Sequence, residues 1–343
     1  MARGIIVQLQ TQAPGGPALG LAYWSGVARW LELRRGGTGA ILRFRQVHPA
    51  RHGDFQPLRA GTITPPQLDR LIVGLRRWRF EIVSLDETLR RIAAPRAAQR
   101  FVCLTFDGAD RGVMRHAARV LARRDAPFAV YVPTAFADGV AELWWLALER
   151  IIAGHARIGL VIDRRERHFE AARVDEKEAL FSLLAGWLDD LAPAARSHAI
   201  RDLCARYGVD LDALSQISSM DWDDVRLLAS SPLVTIGTAT VSGAALHRLD
   251  DAQALREMQA GRDAAEAALD RALPHFAYPD GPLGARELAL AGQAGFASAV
   301  TTAGGLLWPD GQSSGLALPR IAWDGRRPSL RGLRARLAGI GGR

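Results

Sequence analysis

The stretch Phe101-Val102-Cys103-Leu104-Thr105-Phe106, closed by Asp107 and Gly108, decides how the rest of the chain is read. Its residues are almost wholly apolar, with none of the polar alternation of a strand that has one wet face. Such a run predicts a central parallel strand buried on both sides. A carboxylate just at its end, Asp107, then stands where α/β barrels gather their functional groups.

Outward from this strand, short apolar runs alternate with amphipathic helices, the pattern of a βα fold. Residues 40–47, 80–83, 128–132, 233–237, 275–277, 297–301 and 318–321 read as further strands. Thr64-Pro65-Pro66-Gln67 opens a helix: Thr64 caps, Pro65 suits the first turn and Gln67 completes a capping box. Leu68, Leu71, Ile72 and Leu75 fall on its buried face at helical spacing. Ser84-Leu85-Asp86-Glu87 repeats the box, and further helices are expected near 113–124, at 251–269 behind Asp250, and at 285–294. Residues 137–230 differ, reading as helices at 142–153, 175–191, 195–207 and 221–229 with a hairpin-like pair near 158–173. The expected organisation is an N-terminal segment 1–36, a barrel over 37–330 carrying a helical insertion at about 137–230, and a basic tail 331–343.

With 343 residues, 48% hydrophobic and 23% charged, the chain can bury a sizeable core. Only Cys103 and Cys204 are cysteines, which excludes a disulfide scaffold or a Cys-rich zinc site and fits a reducing, cytoplasmic setting. Residues 4–28 carry no charge, but Gln8, Gln10, Gln12 and Pro14 interrupt them, so neither a signal peptide nor a transmembrane segment is expected. Of 44 basic residues only Lys177 is lysine, and the net charge is +8. Arginine pairs bidentately with carboxylates and phosphates, so an acidic glycan, a nucleic acid or an anionic membrane surface is open as a partner. The arginines are scattered rather than clustered, which reads as composition and points to no specific nucleic-acid site.

Several motifs, in order, resemble the polysaccharide deacetylase family (the chitooligosaccharide deacetylase, or carbohydrate esterase family 4, type). Leu104-Thr105-Phe106-Asp107 is similar to the start of that family's T-F-D-D-G motif. Val132-Pro133-Thr134 and Trp144-Trp145 follow at the expected places. Val234-Thr235-Ile236-Gly237 leads into the slot of the H-T-x-x-H motif, Phe276-Ala277-Tyr278-Pro279 matches a Y-P element, and Leu318-Pro319-Arg320-Ile321 closes the series. The resemblance covers roughly 37–325 and implies a deformed (β/α) TIM-like barrel. It also implies removal of N-acetyl groups from sugar polymers with zinc or another divalent metal. Such a metal lowers the pKa of bound water and polarises the amide carbonyl while a carboxylate takes the proton.

Carried over by position, the base of the family motif falls on Asp107. The three metal-ligand positions fall on Gly108, Ala239 and Gly243, none of which has a side-chain donor. Where the family often shows Tyr-His in the first strand, this chain has Phe44-Arg45. Tyr278, Pro279, Trp145 and Arg320 take the substrate-groove positions, although adjacent Trp144 and Trp145 diverge by about 100° on a helix and at most one can face a groove. Asp110, Arg111 and His247 are expected as solvated surface at strand ends. A metal site rebuilt from Asp107, Asp110 and His247 is the less favoured possibility. The expectation is therefore a catalytically impaired relative without a metal cofactor, retaining an N-acetylated or anionic glycan or a protein partner. The alternative is an active hydrolase of the C–N amide through a rebuilt or metal-free site.

Overall fold

Phe101–Asp107 is a strand, and it stands inside a parallel sheet of eight. In the computed structural model, which describes residues 37–93, 99–162, 165–308 and 314–340, the strands of this sheet are numbered here in chain order. They are β1 (Gly39–Phe44), β2 (Glu81–Ile82), β3 (Phe101–Asp107), β4 (Phe128–Val132), β5 (Val234–Thr238), β6 (His275–Ala277), β7 (Ser298–Val300) and β8 (Ile321–Ala322). The order is β7-β6-β5-β4-β3-β1-β8, with β2 beside the start of β3. Leu318 bridges Val300 of β7, and three residues later Ile321 of β8 pairs with Leu42 of β1. One short stretch thus spans the gap between the sheet's two edges and curls it into a deformed barrel. The segment 1–36 lies outside the described residues.

Side chains alternate between two cores because a strand's period is two. Val102, Leu104 and Phe106 pack outward with Leu68, Leu71 and Leu121 of the flanking helices. Phe101 and Cys103 point the other way, joining Ile41, Ala129, Tyr131, Ala277, Val300, Leu307 and Leu318 inside the barrel. By the same alternation Thr105 and Asp107 are inward positions, above an apolar floor.

The helix Pro65–Arg77 starts as its sequence dictates: Gln67 N–H donates to Thr64 Oγ1 at 3.3 Å, and Thr64 N–H donates to Gln67 Oε1 at 3.0 Å. The second box is only half made. Glu87 N–H donates to Ser84 Oγ at 3.1 Å, but the Glu87 carboxylate turns to Arg91 at 2.6 Å and Arg90 at 2.5 Å. Asp250 caps Asp251–Leu269 with a full capping box.

The insertion builds its own apolar cluster from Trp144, Leu148, Ile152, Leu180, Leu184 and Leu203. It contains one helix not expected from the sequence, Leu211–Ser218, whose Asp210 side chain accepts from Ala213 N–H. The stretch read as a basic tail also differs. Leu330–Leu337 is a helix, and Leu333 and Leu337 are buried against the main core. Two leucines four apart anchor it, while its arginines remain outside that stripe. No described helix is long and apolar enough to cross a membrane.

Candidate functional site

The parallel register carries the ends of several strands to one rim. Asp107 lies opposite Tyr131, and Val132 opposite Thr238. Beyond the strand ends, Gly108 N–H donates to Tyr131 O at 3.0 Å, Ala239 N–H to Val132 O at 3.3 Å, and Tyr278 N–H to Val300 O at 3.1 Å. Asp107, Gly108 and Ala239 therefore share the rim, with β3 and β5 two strand spacings, about 10 Å, apart. Gly243 follows four residues past Ala239, where a Cβ would meet Phe136 at 3.8 Å.

What fills this rim is an ion-pair cluster. Arg320 Nη1 donates to Asp107 Oδ1 at 2.6 Å and Nη2 to Oδ2 at 2.8 Å, a bidentate fork. Its Nε donates to Thr301 O at 2.8 Å, and Nη1 also reaches Thr105 Oγ1 at 3.3 Å. Arg43 Nε donates to Asp107 Oδ2 at 2.5 Å, and its Nη2 to Asp280 Oδ1 at 2.9 Å. Arg45 Nη2 donates to the second oxygen of Asp280. The Arg320 side chain is 0% exposed, Arg43 12% and Asp107 16%, so these charges are largely withdrawn from water.

The cluster fixes protonation. Burial alone would raise the Asp107 pKa, but the attraction and hydrogen bonds of Arg320 and Arg43 outweigh it and hold the carboxyl far below the usual range. Asp280 is lowered in the same way, with Arg45 and Arg43 overcoming burial. Arg43 is pushed up, since Asp280 and Asp107 overcome the desolvation that opposes them. A base works best with a pKa near the working pH. A carboxylate with both oxygens committed to guanidinium groups is a weak proton acceptor.

The residues present do not suit the divalent metal that the fold suggests. Gly108 and Gly243 hold φ of 80° and 75°, and Ala239 offers only a methyl group. Asp107, the remaining carboxylate, already faces two cations, which would repel a third. Among the described residues no three His, Cys, Asp or Glu side chains come together as a ligand group. Asp107, Asp110 and His247 are not assembled. Asp110 is not solvated surface either: its side chain is 10% exposed and accepts from Gly112 N–H while facing His48 Nε2 at 3.1 Å. Arg111 pairs with Asp221 and Asp224 from the insertion, and His247 lies beside Gly281.

Two groove positions need correction. Tyr278 is 4% exposed and packs edge-on against Phe276 in the outer apolar layer with Met258 and Leu290. Continuing the alternation of β6 past Ala277 sends it there rather than into the mouth. Arg320 lies beneath Asp107 and lines no groove; its role in the structure is to hold that carboxylate. Pro279 is half-buried, and it leads directly to Asp280. Of the tryptophans, Trp144 is buried in the insertion core, while Trp145 is partly exposed with its ring 6.3 Å from Phe136. Phe136 also borders a polar cavity of about 340 Å³ lined by Arg111, Asp138, Gln216, Ser219 and Asp221.

Arg43 and Asp280 were not singled out from the sequence. The signal was there in part: Arg43 alternates with Ile41 in an otherwise apolar strand, placing a charge at an inward position that needs a partner.

Solved structures give the likeness. The chain resembles the Streptococcus pyogenes deacetylase PplD, solved in complex with acetate, at 14% identity and a TM-score of 0.57 over 87% of this chain and 96% of that one. It resembles IcaB from Ammonifex degensii at 15% identity and a TM-score of 0.55, over 90% of this chain and 98% of that one. A Bacillus cereus polysaccharide deacetylase gives 11% identity and a TM-score of 0.55 over 88% of this chain and 68% of that one. No protein-family profile and no curated protein sequence matches the chain. At these identities the likeness is one of architecture: the chain has the α/β fold of the polysaccharide deacetylases, with an arginine–aspartate cluster at the rim of its barrel.

Proposed function

We propose that this protein binds a glycan without cleaving its N-acetyl groups. The observation that carries the reading is the state of Asp107. Its carboxylate is clamped bidentately by Arg320 and again by Arg43, beside three ligand positions that lack donor atoms. Amide hydrolysis needs an activated water and a free base. Neither is provided by this arrangement.

The cavity beside Phe136 supports the glycan. At about 340 Å³ it suits one or two sugar rings, and Arg111, Asp138, Gln216 and Ser219 offer hydrogen-bonding groups to hydroxyls. Phe136 adds an aromatic side chain to its lining. The free, buried Cys103 and Cys204 suit a reducing compartment, and we place the protein in the cytoplasm on that ground.

Calorimetric titration with N-acetylglucosamine oligomers, paired with an acetate-release assay in zinc, cobalt or nickel, tests the reading. Saturable binding weakened by Gln216→Ala, with no acetate released, is expected. Metal-dependent acetate release abolished by Asp107→Asn would overturn it.

A further inference from the structure

The rim cluster does not balance its charge. Arg43, Arg45 and Arg320 bring three guanidinium groups, and Asp107 and Asp280 bring two carboxylates. Arg320 and Arg43 are each held by two or more partners and are nearly fully covered. The surplus therefore falls on Arg45, whose side chain is 40% exposed and is held by Asp280 through Nη2 alone. Arg45 sits where the first strand has just ended, and its stem packs against Gly61. Beside Asp107 the rim is open: apart from the two chain neighbours of Gly108, no heavy atom of the described residues lies within 4 Å of where its Cβ would stand.

We propose that Arg45 forms the outer wall of a binding site for a small carboxylate monoanion at the barrel mouth. The planar fork of a guanidinium matches a carboxylate, and Arg45 has donors left to offer it. One negative charge cancels the surplus of one, whereas a dianion would overshoot and leave the cluster net negative. The electrostatics of Arg45 point the same way. Asp280 and Asp107 favour its charged form, but desolvation and the repulsion of Arg43 and Arg320 outweigh them, so an added anion would act in the direction of Asp280 and Asp107. The carboxylate can come from a free organic acid or from the uronic acid residue of a sugar chain; the two share the chemistry. The site is independent of the cavity beside Phe136.

The test is titration of the full chain with sodium acetate, sodium glucuronate, N-acetylglucosamine and inorganic phosphate at low ionic strength, followed by calorimetry. The carboxylates are expected to bind with a dissociation constant on the order of 1–10 mM. Arg45→Gln, exposed enough to leave the fold intact by circular dichroism, is expected to weaken that binding at least tenfold, and Arg45→Lys by less. Tighter binding of glucuronate than of acetate assigns the site to an acidic sugar; equal binding assigns it to free acids. Carboxylate binding with no binding of N-acetylglucosamine or of its oligomers supports this site while removing the reading of the cavity beside Phe136 as an N-acetylated glycan site. Failure of both carboxylates to bind, binding unchanged by Arg45→Gln, or phosphate dianion binding more tightly than either carboxylate overturns the proposal.

Discussion

Replacing Asp107 by asparagine leaves the side chain's shape nearly unchanged and removes its charge. The consequence follows from what surrounds it. Arg320, with a 0% exposed side chain, keeps Thr301 O and Thr105 Oγ1 but loses its carboxylate fork. Arg43 keeps Asp280 and loses the 2.5 Å contact to Asp107. The new amide NH₂ must face a guanidinium N–H, donor against donor. The cluster then carries three guanidinium groups against one carboxylate. Removing one partner of a buried pair costs about 3–5 kcal/mol, because the charge left behind cannot be hydrated. Against a typical stability of about 5–15 kcal/mol this is a large fraction. Urea denaturation followed by fluorescence, with the slope checked for constancy, reads the loss as a lowered midpoint. Adding Arg43→Met should recover at least about 1 kcal/mol, since it removes one of the two surplus cations while Arg45 still pairs with Asp280. A carboxylate free for catalysis makes no such demand. An Asp107→Asn protein within about 0.5 kcal/mol of the parent would refute the clamp.

Acid should unfold the protein through the same residues. Asp107 and Asp280 have folded pKa values lowered below their unfolded ones, so the unfolded state takes up more protons and stability rises with pH. Their contribution is complete above the unfolded value of about 3.9 and is lost as the pH falls from there through the folded values; urea midpoints should drop below about pH 4, and less steeply in Asp280→Asn. Restoring ligands with Gly108→Asp, Ala239→His and Gly243→His should destabilise the protein by about 1–3 kcal/mol for each side chain forced to positive φ, read in the same urea assay. Elemental analysis of that triple variant should find far less than one zinc per chain. Tyr131→Phe removes a buried hydroxyl with no hydrogen-bond partner among the described residues and should be neutral or stabilise by up to about 1 kcal/mol in thermal unfolding.

The fold was legible because its signals are local. An apolar run at Phe101–Asp107 can bury both faces only inside a parallel sheet. Thr64 with Gln67, and Asp250 with Gln253, state where helices begin. The helix Leu211–Ser218 was less visible because it is only eight residues long and sits in the short stretch between Pro193–Tyr207 and Trp222–Ala229, and the helix Leu330–Leu337 because its arginines mask two anchoring leucines. The site was legible as one carboxylate, Asp107, beside a set of absences. Gly108, Ala239 and Gly243 announce that donors are missing, but what replaces them depends on register. Arg43 lies 64 residues before Asp107, and Asp280 lies 237 after Arg43, so nothing local joins them. Tyr278 was misassigned for a related reason: the motif fixes its position in the chain, while the pleat of β6 decides which way it points.

The claim that the rim holds a self-contained arginine–aspartate cluster instead of a metal is tested most directly by soaking crystals in zinc and measuring anomalous scattering at the zinc edge. The expected map shows the Arg320 and Arg43 guanidinium groups on Asp107 and no anomalous peak within ~2.3 Å of either Asp107 oxygen. A peak there, with Arg43 or Arg320 swung away from the carboxylate, would contradict the account.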